Sequence, residues 1–155
     1  MIDGLILTPL RVLTDDRGAV LHMLRSDAKD FAGFGECYFS EINPGVIKGW
    51  KRHRLQTQNL AVPVGRIRLV AYDAREDSRT RGAVQAFDLG RPDAYARVCI
   101  PPMLWYAFRC MGSTAALLAN CPDRPHDPGE SDSRELGALG HTEALVLLQG
   151  TDSRP

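Results

Sequence analysis

Residues 45 to 59, GVIKGWKRHRLQTQN, hold Lys48, Lys51, Arg52, His53 and Arg54 within seven positions. Such a run on a strand is either a solvated, charge-decorated face that resists pairing with another sheet edge, or a site. An imidazole near its ordinary pKa of about 6.5 exchanges protons at neutral pH, and an ammonium can hold an oxyanion. Residues two apart on an extended strand share a face, so Lys51 and His53 are expected to point into the same space. Strict alternation sends Lys48 the other way. If both lysines are to meet one ligand, Gly49 has to sit at a bulge that resets the pleat, which glycine readily permits. Arg52 and Arg54 then face outward or toward a subunit contact.

The elements that must position these groups are strands. Short apolar or alternating runs follow one another between Gly, Pro, Asp and Asn: LILTPLRVL, AVLHML, ECYFSEI, GVIKGWKRH, NLAVPV, RIRLVAYD, AVQAFDL, ARVCIPP, WYAFRCM and AALLAN. Ten candidate strands between residues 5 and 120 favour a closed antiparallel sheet or a jelly roll. In VGRIRLVAYD, Ile67, Leu69 and Ala71 should face inward and Arg66, Arg68 and Tyr72 outward, after a turn marked by Pro63 and Gly65. DAREDSRTRG is then a polar connection.

Helical pattern is scarce. SDAKDFAGF at 26–34 could form a turn or two, with Ser26 or Asp27 as N-cap and Gly33 as stop. Beyond Asn120 the chain turns rich in Pro, Gly, Asp and Ser. There we expect loop, a short helix around Asp132 to Leu136, and a tail whose ALVLLQ docks as a strand or is disordered after Gly150.

The chain of 155 residues suits one domain, 1–155, with a core at about 5–125 and a loop-rich tail at 126–155. Nineteen basic residues against nineteen acidic ones leave no global field to recruit nucleic acid or a membrane, so any anion site must be local. The N-terminal MIDGLILTPLRVLTDDRG lacks the pattern of a secretory signal and no apolar run approaches membrane-spanning length, which reads as soluble and cytoplasmic. Cys37, Cys99, Cys110 and Cys121 are spaced singly, without a C-x-x-C pair, and read as small hydrophobes.

In order, DDRG (Asp15 to Gly18), YFSEINPGVIKGW, VGRIRLVAYDAR, DSRTRG, LGRPDAY and IPPMLWYAF resemble the dTDP-4-dehydrorhamnose 3,5-epimerase family, over roughly residues 10 to 125. The resemblance implies an all-β, cupin-type jelly roll that forms a homodimer, needs no metal or other cofactor, and binds a nucleoside-diphosphate sugar in the barrel mouth. It implies inversion of carbons beside a 4-ketone in polysaccharide or deoxysugar synthesis. That chemistry needs a base, a partner for the enolate oxygen and an acid on the opposite face.

Aligned on Gly49, the family's base histidine becomes Lys51, a second histidine becomes Tyr106, and the acid tyrosine falls at about Ala119. Arg17 matches an arginine that contacts the nucleotide, and Lys48 replaces a substrate-binding arginine. The carboxylate that orients the base belongs near the C-terminus, where Asp132 and Glu135 are candidates.

A lysine at pKa 10.4 is neutral at pH 7 about once in 2,500 molecules, a penalty of roughly 4.6 kcal/mol. Lys51 therefore either has a depressed pKa or stays charged and holds the enolate. His53 is then the group that exchanges the proton, and Tyr106 the acid. Two readings compete: a metal cupin, in which Lys51 would occupy a ligand position, and a binding protein that keeps the nucleotide pocket without the chemistry. His126 and His141 read as loop and surface residues, and His22 carries no assigned role.

Overall fold

The computed structural model describes residues 1–150. Strands β1 (Ile6–Pro9), β9 (Ala96–Ile100), β6 (Gln58–Val64), β11 (Ala116–Asn120) and β4 (Tyr38–Ile42) form one antiparallel sheet in that order. A second sheet runs β12 (Ser131–Ser133), β5 (Ile47–His53), β10 (Trp105–Cys110), β7 (Arg66–Tyr72) and β8 (Val84–Gly90). Strands β2 (Val12–Asp15) and β3 (Gly18–Leu21) make a separate hairpin. This is the expected jelly roll: short strands exchange backbone hydrogen bonds in two facing sheets, and their alternate side chains fill the space between them.

Alternation sorts the residues as β7 promised. Ile67, Leu69 and Ala71 are fully buried in the core between the sheets, with Leu60, Val62, Val98 and Ile100 from the facing sheet. Strand β10 sends Tyr106 and Phe108 inward and Trp105 and Ala107 outward. The outward set does not meet water. Helix α1 (Thr142–Gln149) lays Ala144 and Leu148 over Trp50, Val70, Trp105 and Ala107, so the middle of the second sheet is buried on both faces.

Two expectations for helices are corrected here. Residues 26–34 form turns, not a helix: backbone bonds Ala28 N to Arg25 O and Phe31 N to Ala28 O close single turns, and Arg25 is clamped onto Asp27. The segment is only nine residues long and is interrupted by Gly33, too short for a helix to hold by its own backbone bonds. The C-terminal segment reverses the other reading. Asp132 lies in strand β12 with a 3-10 turn at Leu136–Leu139 after it, and ALVLLQ is helical, because the outer face of the second sheet offers an apolar bed for a helix. Residues after Gly150, named above for disorder, lie outside the described residues.

The polar connection DAREDSRTRG is a closed clamp. Asp73, with no exposed surface, accepts hydrogen bonds from the Arg75 guanidinium, Ser78 Oγ and Thr80 Oγ1. Burial alone would raise its pKa, yet these donors hold it far below the usual carboxylate range. No helix among the described residues is long and apolar enough to cross a membrane.

Candidate active site

Strand β5 carries the cluster, and Gly49 gives it its geometry. Tyr106 of β10 stands opposite Lys51 while Phe108 stands opposite Lys48, so two residues of β5, Gly49 and Trp50, face the single Ala107. This is the bulge expected from the sequence. Gly49 has φ +133°, and a Cβ there would lie 2.5 Å from Ala107 Cβ. The slip turns Trp50 outward, where its indole Nε1 donates to Leu136 O, and brings Lys48 and Lys51 to one cavity.

That cavity, of about 230 Å³, lies between the sheets. Lys48, Lys51, Tyr106 and Phe108 come from the second sheet; Tyr38, Ser40, Leu60, Leu118 and Asn120 come from the first. Lys48 Nζ reaches across to Glu41 O at 2.6 Å and Ser40 Oγ at 3.1 Å. The phenols of Tyr38 and Tyr106 both have pKa values raised by burial, Tyr106 the more strongly, and both stay protonated at neutral pH.

His53 shares the face of Lys51 but is buried beside the cavity, not among its lining residues, with its ring stacked on Tyr106 at a centroid separation of 6.2 Å. Its Nδ1 lies 2.7 Å from Glu130 Oε2. Burial works against the Glu130 charge, but the Leu55 and Gln56 backbone N–H groups, donating to Oε1 at 2.7 and 2.9 Å, together with His53, hold the carboxyl below its ordinary value. An ionised carboxylate can only accept, so it fixes the proton of neutral His53 on Nδ1. Nε2 is left as an unprotonated lone pair, buried and without a partner. Burial lowers the His53 pKa more than Glu130 raises it, so the ring is neutral at pH 7.

Glu130 was not singled out in the sequence. Asp132, which was, points the other way and is gripped by Arg52 at 2.6 Å and by Arg54, with its pKa lowered to about 2. Arg52 also stacks over Trp105 at 4.7 Å. Both arginines are thus bound to Asp132 within the chain. Glu135 precedes the 3-10 turn, and the carboxylate bonded to His53 is that of Glu130. The backbone bonds of β12 to β5, Ser131 opposite His53 and Asp132 opposite Arg52, are what deliver Glu130.

Arg17 is not brought to the cavity of its own chain. It sits at the tip of the β2–β3 hairpin, highly exposed and paired with Asp15 at 2.6 Å. Ala119 is buried in β11 opposite Phe39 and brings no acid to the site. Tyr38, Ser40 and Asn120 are polar lining residues that the sequence reading passed over. Gln56 and Gln58 extend the same polar set: Asn120 Nδ2 donates to Gln58 Oε1, and Gln58 Nε2 donates to Gln56 Oε1. Among the described residues no three His, Cys, Asp or Glu side chains converge as a metal-ligand set. A larger, shallower cleft of about 610 Å³ beside Arg52 and Arg75 is less apt for an anionic ligand, because both cations are ion-paired, with Asp132 and Asp73, and Asp3, Glu76 and Asp77 also line it.

The arrangement can do one kind of chemistry well. An oriented neutral imidazole, an ammonium from the same strand face and two protonated phenols suit removal of a proton beside a carbonyl, stabilisation of the enolate, and return of the proton.

Comparison with known proteins agrees with this chemistry. The family model described as dTDP-4-dehydrorhamnose 3,5-epimerase matches residues 1–135. A spore coat polysaccharide biosynthesis protein of Bacillus subtilis is 30% identical over 136 residues, covering 88% of this chain and 89% of its own. A probable low-salt glycan biosynthesis epimerase of Haloferax volcanii is 33% identical over 129 residues, covering 82% of each. The crystal structure of a dTDP sugar isomerase from Desulfovibrio desulfuricans G20 superposes with a TM-score of 0.88 at 49% identity, covering 91% of this chain and 90% of that one.

Proposed function

The chain belongs to the dTDP-4-dehydrorhamnose 3,5-epimerase family, and from that premise we propose that it inverts carbons beside the 4-ketone of a nucleoside-diphosphate 4-keto-6-deoxy sugar. The pathway is polysaccharide or glycan synthesis, as the names of its relatives indicate for them. The observation that carries the mechanism is the buried Glu130–His53 pair with its unpartnered Nε2, adjoining a lysine-bearing cavity.

The ketone acidifies the hydrogens on C3 and C5. Nε2 of His53 takes one of them, the bond pair moves into the enolate, and the Lys51 ammonium faces the oxygen that becomes negative. A protonated lysine in this role pays none of the roughly 4.6 kcal/mol that a neutral base would cost. Lys48 has a third N–H beyond its bonds to Ser40 and Glu41, and with it holds the anionic part of the substrate. His53 is not among the lining residues of the cavity, so the sugar reaches Nε2 only when the Lys51 side chain moves aside.

Arg17 meets a nucleotide only if a second copy brings it, and the hairpin that bears it has the surface for that. Leu13 and Val20, directly opposite each other, are 46% and 62% exposed. We take the working form to be a cytoplasmic homodimer with these hairpins at its interface. Light scattering should report twice the 17.1 kDa chain mass, and Val20→Glu should shift the particle toward the mass of a single chain. A wild-type particle of single-chain mass would refute the dimer.

Incubating the protein with dTDP-4-dehydrorhamnose in heavy water tests the epimerase reading, with deuterium expected at C3 and C5. The competing reading, a nucleotide-sugar-binding protein without chemistry, is selected if the ligand raises the melting temperature while no deuterium enters.

A further inference from the structure

Inversion sets a condition that two phenols in one cavity do not meet equally. The proton must leave from one face of the sugar and return to the other, so base and acid have to stand on opposite walls. Lys51 and His53 lie on β5, and Tyr106, expected from the sequence as the acid, is the direct cross-strand partner of Lys51 in the same sheet and stacks on His53. It belongs to the wall of the base. Tyr38 lies on β4, in the facing sheet, with Ser40 and Asn120 beside it on the cavity surface.

The hydrogen bonds around Tyr38 also leave its proton free. A buried chain of amides runs from the phenol inward, and backbone carbonyls fix its polarity. Gln56 Nε2 donates to the carbonyls of Pro125 at 2.9 Å and Arg124 at 3.3 Å, groups that can only accept. Gln56 Oε1 must therefore accept from Gln58 Nε2 at 3.0 Å, and Gln58 Oε1 from Asn120 Nδ2 at 2.7 Å. The same Nδ2 lies 2.8 Å from Tyr38 Oη, which accepts. The Tyr38 hydroxyl thus receives a hydrogen bond from the wall and has its own hydrogen available to the cavity. A phenolate left after proton transfer would keep the Asn120 donor.

We propose that Tyr38 is the catalytic acid on the wall opposite His53, and that Asn120, oriented through Gln58 and Gln56, is the residue that positions it. This rests on the epimerase reading of the same site. The C–H bond breaks with its proton going to His53 Nε2, and the new C–H bond takes the Tyr38 hydroxyl proton. The resulting phenolate and imidazolium are reset by proton exchange with water. Tyr106 serves as a wall of the cavity and packs His53.

The test separates exchange from inversion. Wild type, Tyr38→Phe and Tyr106→Phe are each incubated with dTDP-4-dehydrorhamnose in heavy water, and deuterium content and configuration at C3 and C5 are read by NMR. Tyr38→Phe should still take up deuterium, through removal and return on the His53 side, while its rate of inversion falls at least about 100-fold, the lower end of what a positioned acid supplies. Tyr106→Phe, which alters the cavity wall beside His53, should slow exchange and inversion together and leave their ratio near that of wild type. Inversion by Tyr38→Phe at the wild-type rate, or exchange without inversion in Tyr106→Phe, overturns the proposal. Silence in all three proteins, wild type included, instead overturns the epimerase reading on which it stands.

Discussion

Replacing His53 by asparagine should lower α-proton exchange on a dTDP-linked 4-ketosugar by at least about 100-fold, while leaving thermal stabilisation by dTDP intact. Asparagine can keep a donor toward Glu130 Oε2, so the change removes the Nε2 lone pair more than it removes the packing. The pH dependence carries the signature of the imidazole. Because burial holds its pKa down, the acid limb of kcat/KM should lie below the ordinary histidine value of about 6.5. Glu130→Gln takes away the charge that partly opposes that shift, so the limb should move to still lower pH as activity falls. For stability the sign is fixed by the unfolded chain, which binds this proton more readily. The contribution of neutral His53 is complete above about pH 6.5 and is lost as the pH falls toward the folded value. An exchange rate for His53→Asn within threefold of wild type would remove His53 from the mechanism.

Gly49→Ala should be among the most damaging single methyls in the chain. A Cβ would meet Ala107 Cβ at 2.5 Å, Ala107 Cα at 2.7 Å and Tyr106 O at 3.0 Å, on a backbone at φ +133° that other residues rarely adopt. None of those atoms is the loose end of a side chain. Strain and overpacking together should cost about 4 kcal/mol or prevent folding, against about 1 kcal/mol for Gly45→Ala, whose φ is also positive but whose Cβ would meet nothing. Urea midpoints of the two variants check this. If a folded Gly49→Ala protein survives, the bulge has moved, and the lysines can no longer share the cavity. Equal midpoints for the two variants would show that the close contact with β10 does not fix the bulge.

The parts of this molecule that follow a period of two were legible in advance. Ile67, Leu69 and Ala71 announced their face of β7, and Gly49 between two lysines announced a bulge. Where the deciding contact lies far along the chain, local pattern failed. ALVLLQ is helical because Trp50, Val70, Trp105 and Ala107, from three different strands, make a bed for Ala144 and Leu148. Nothing in PGESDSRE marks Glu130 as the partner of a histidine 77 positions earlier; only β12 pairing with β5 selects it over Asp132. Tyr38 and its amide chain did leave a trace. Gln56 and Gln58, two apart at the entry of an apolar strand, with Tyr38 and Ser40 two apart in ECYFSEI, are polar residues in inward phase, and inward polar residues in a strand have to serve one another or a ligand.

The central claim is that β5 sends an ammonium and an oriented neutral imidazole to one ketosugar. Proton NMR of dTDP-4-dehydrorhamnose in heavy water, with and without the wild-type protein, tests it most directly. Loss of the C3 and C5 proton signals at a catalytic rate, abolished in His53→Asn and strongly reduced in Lys51→Met, is the result expected. Unchanged signals from a protein that still binds the nucleotide sugar would contradict it and leave a binding pocket without a reaction.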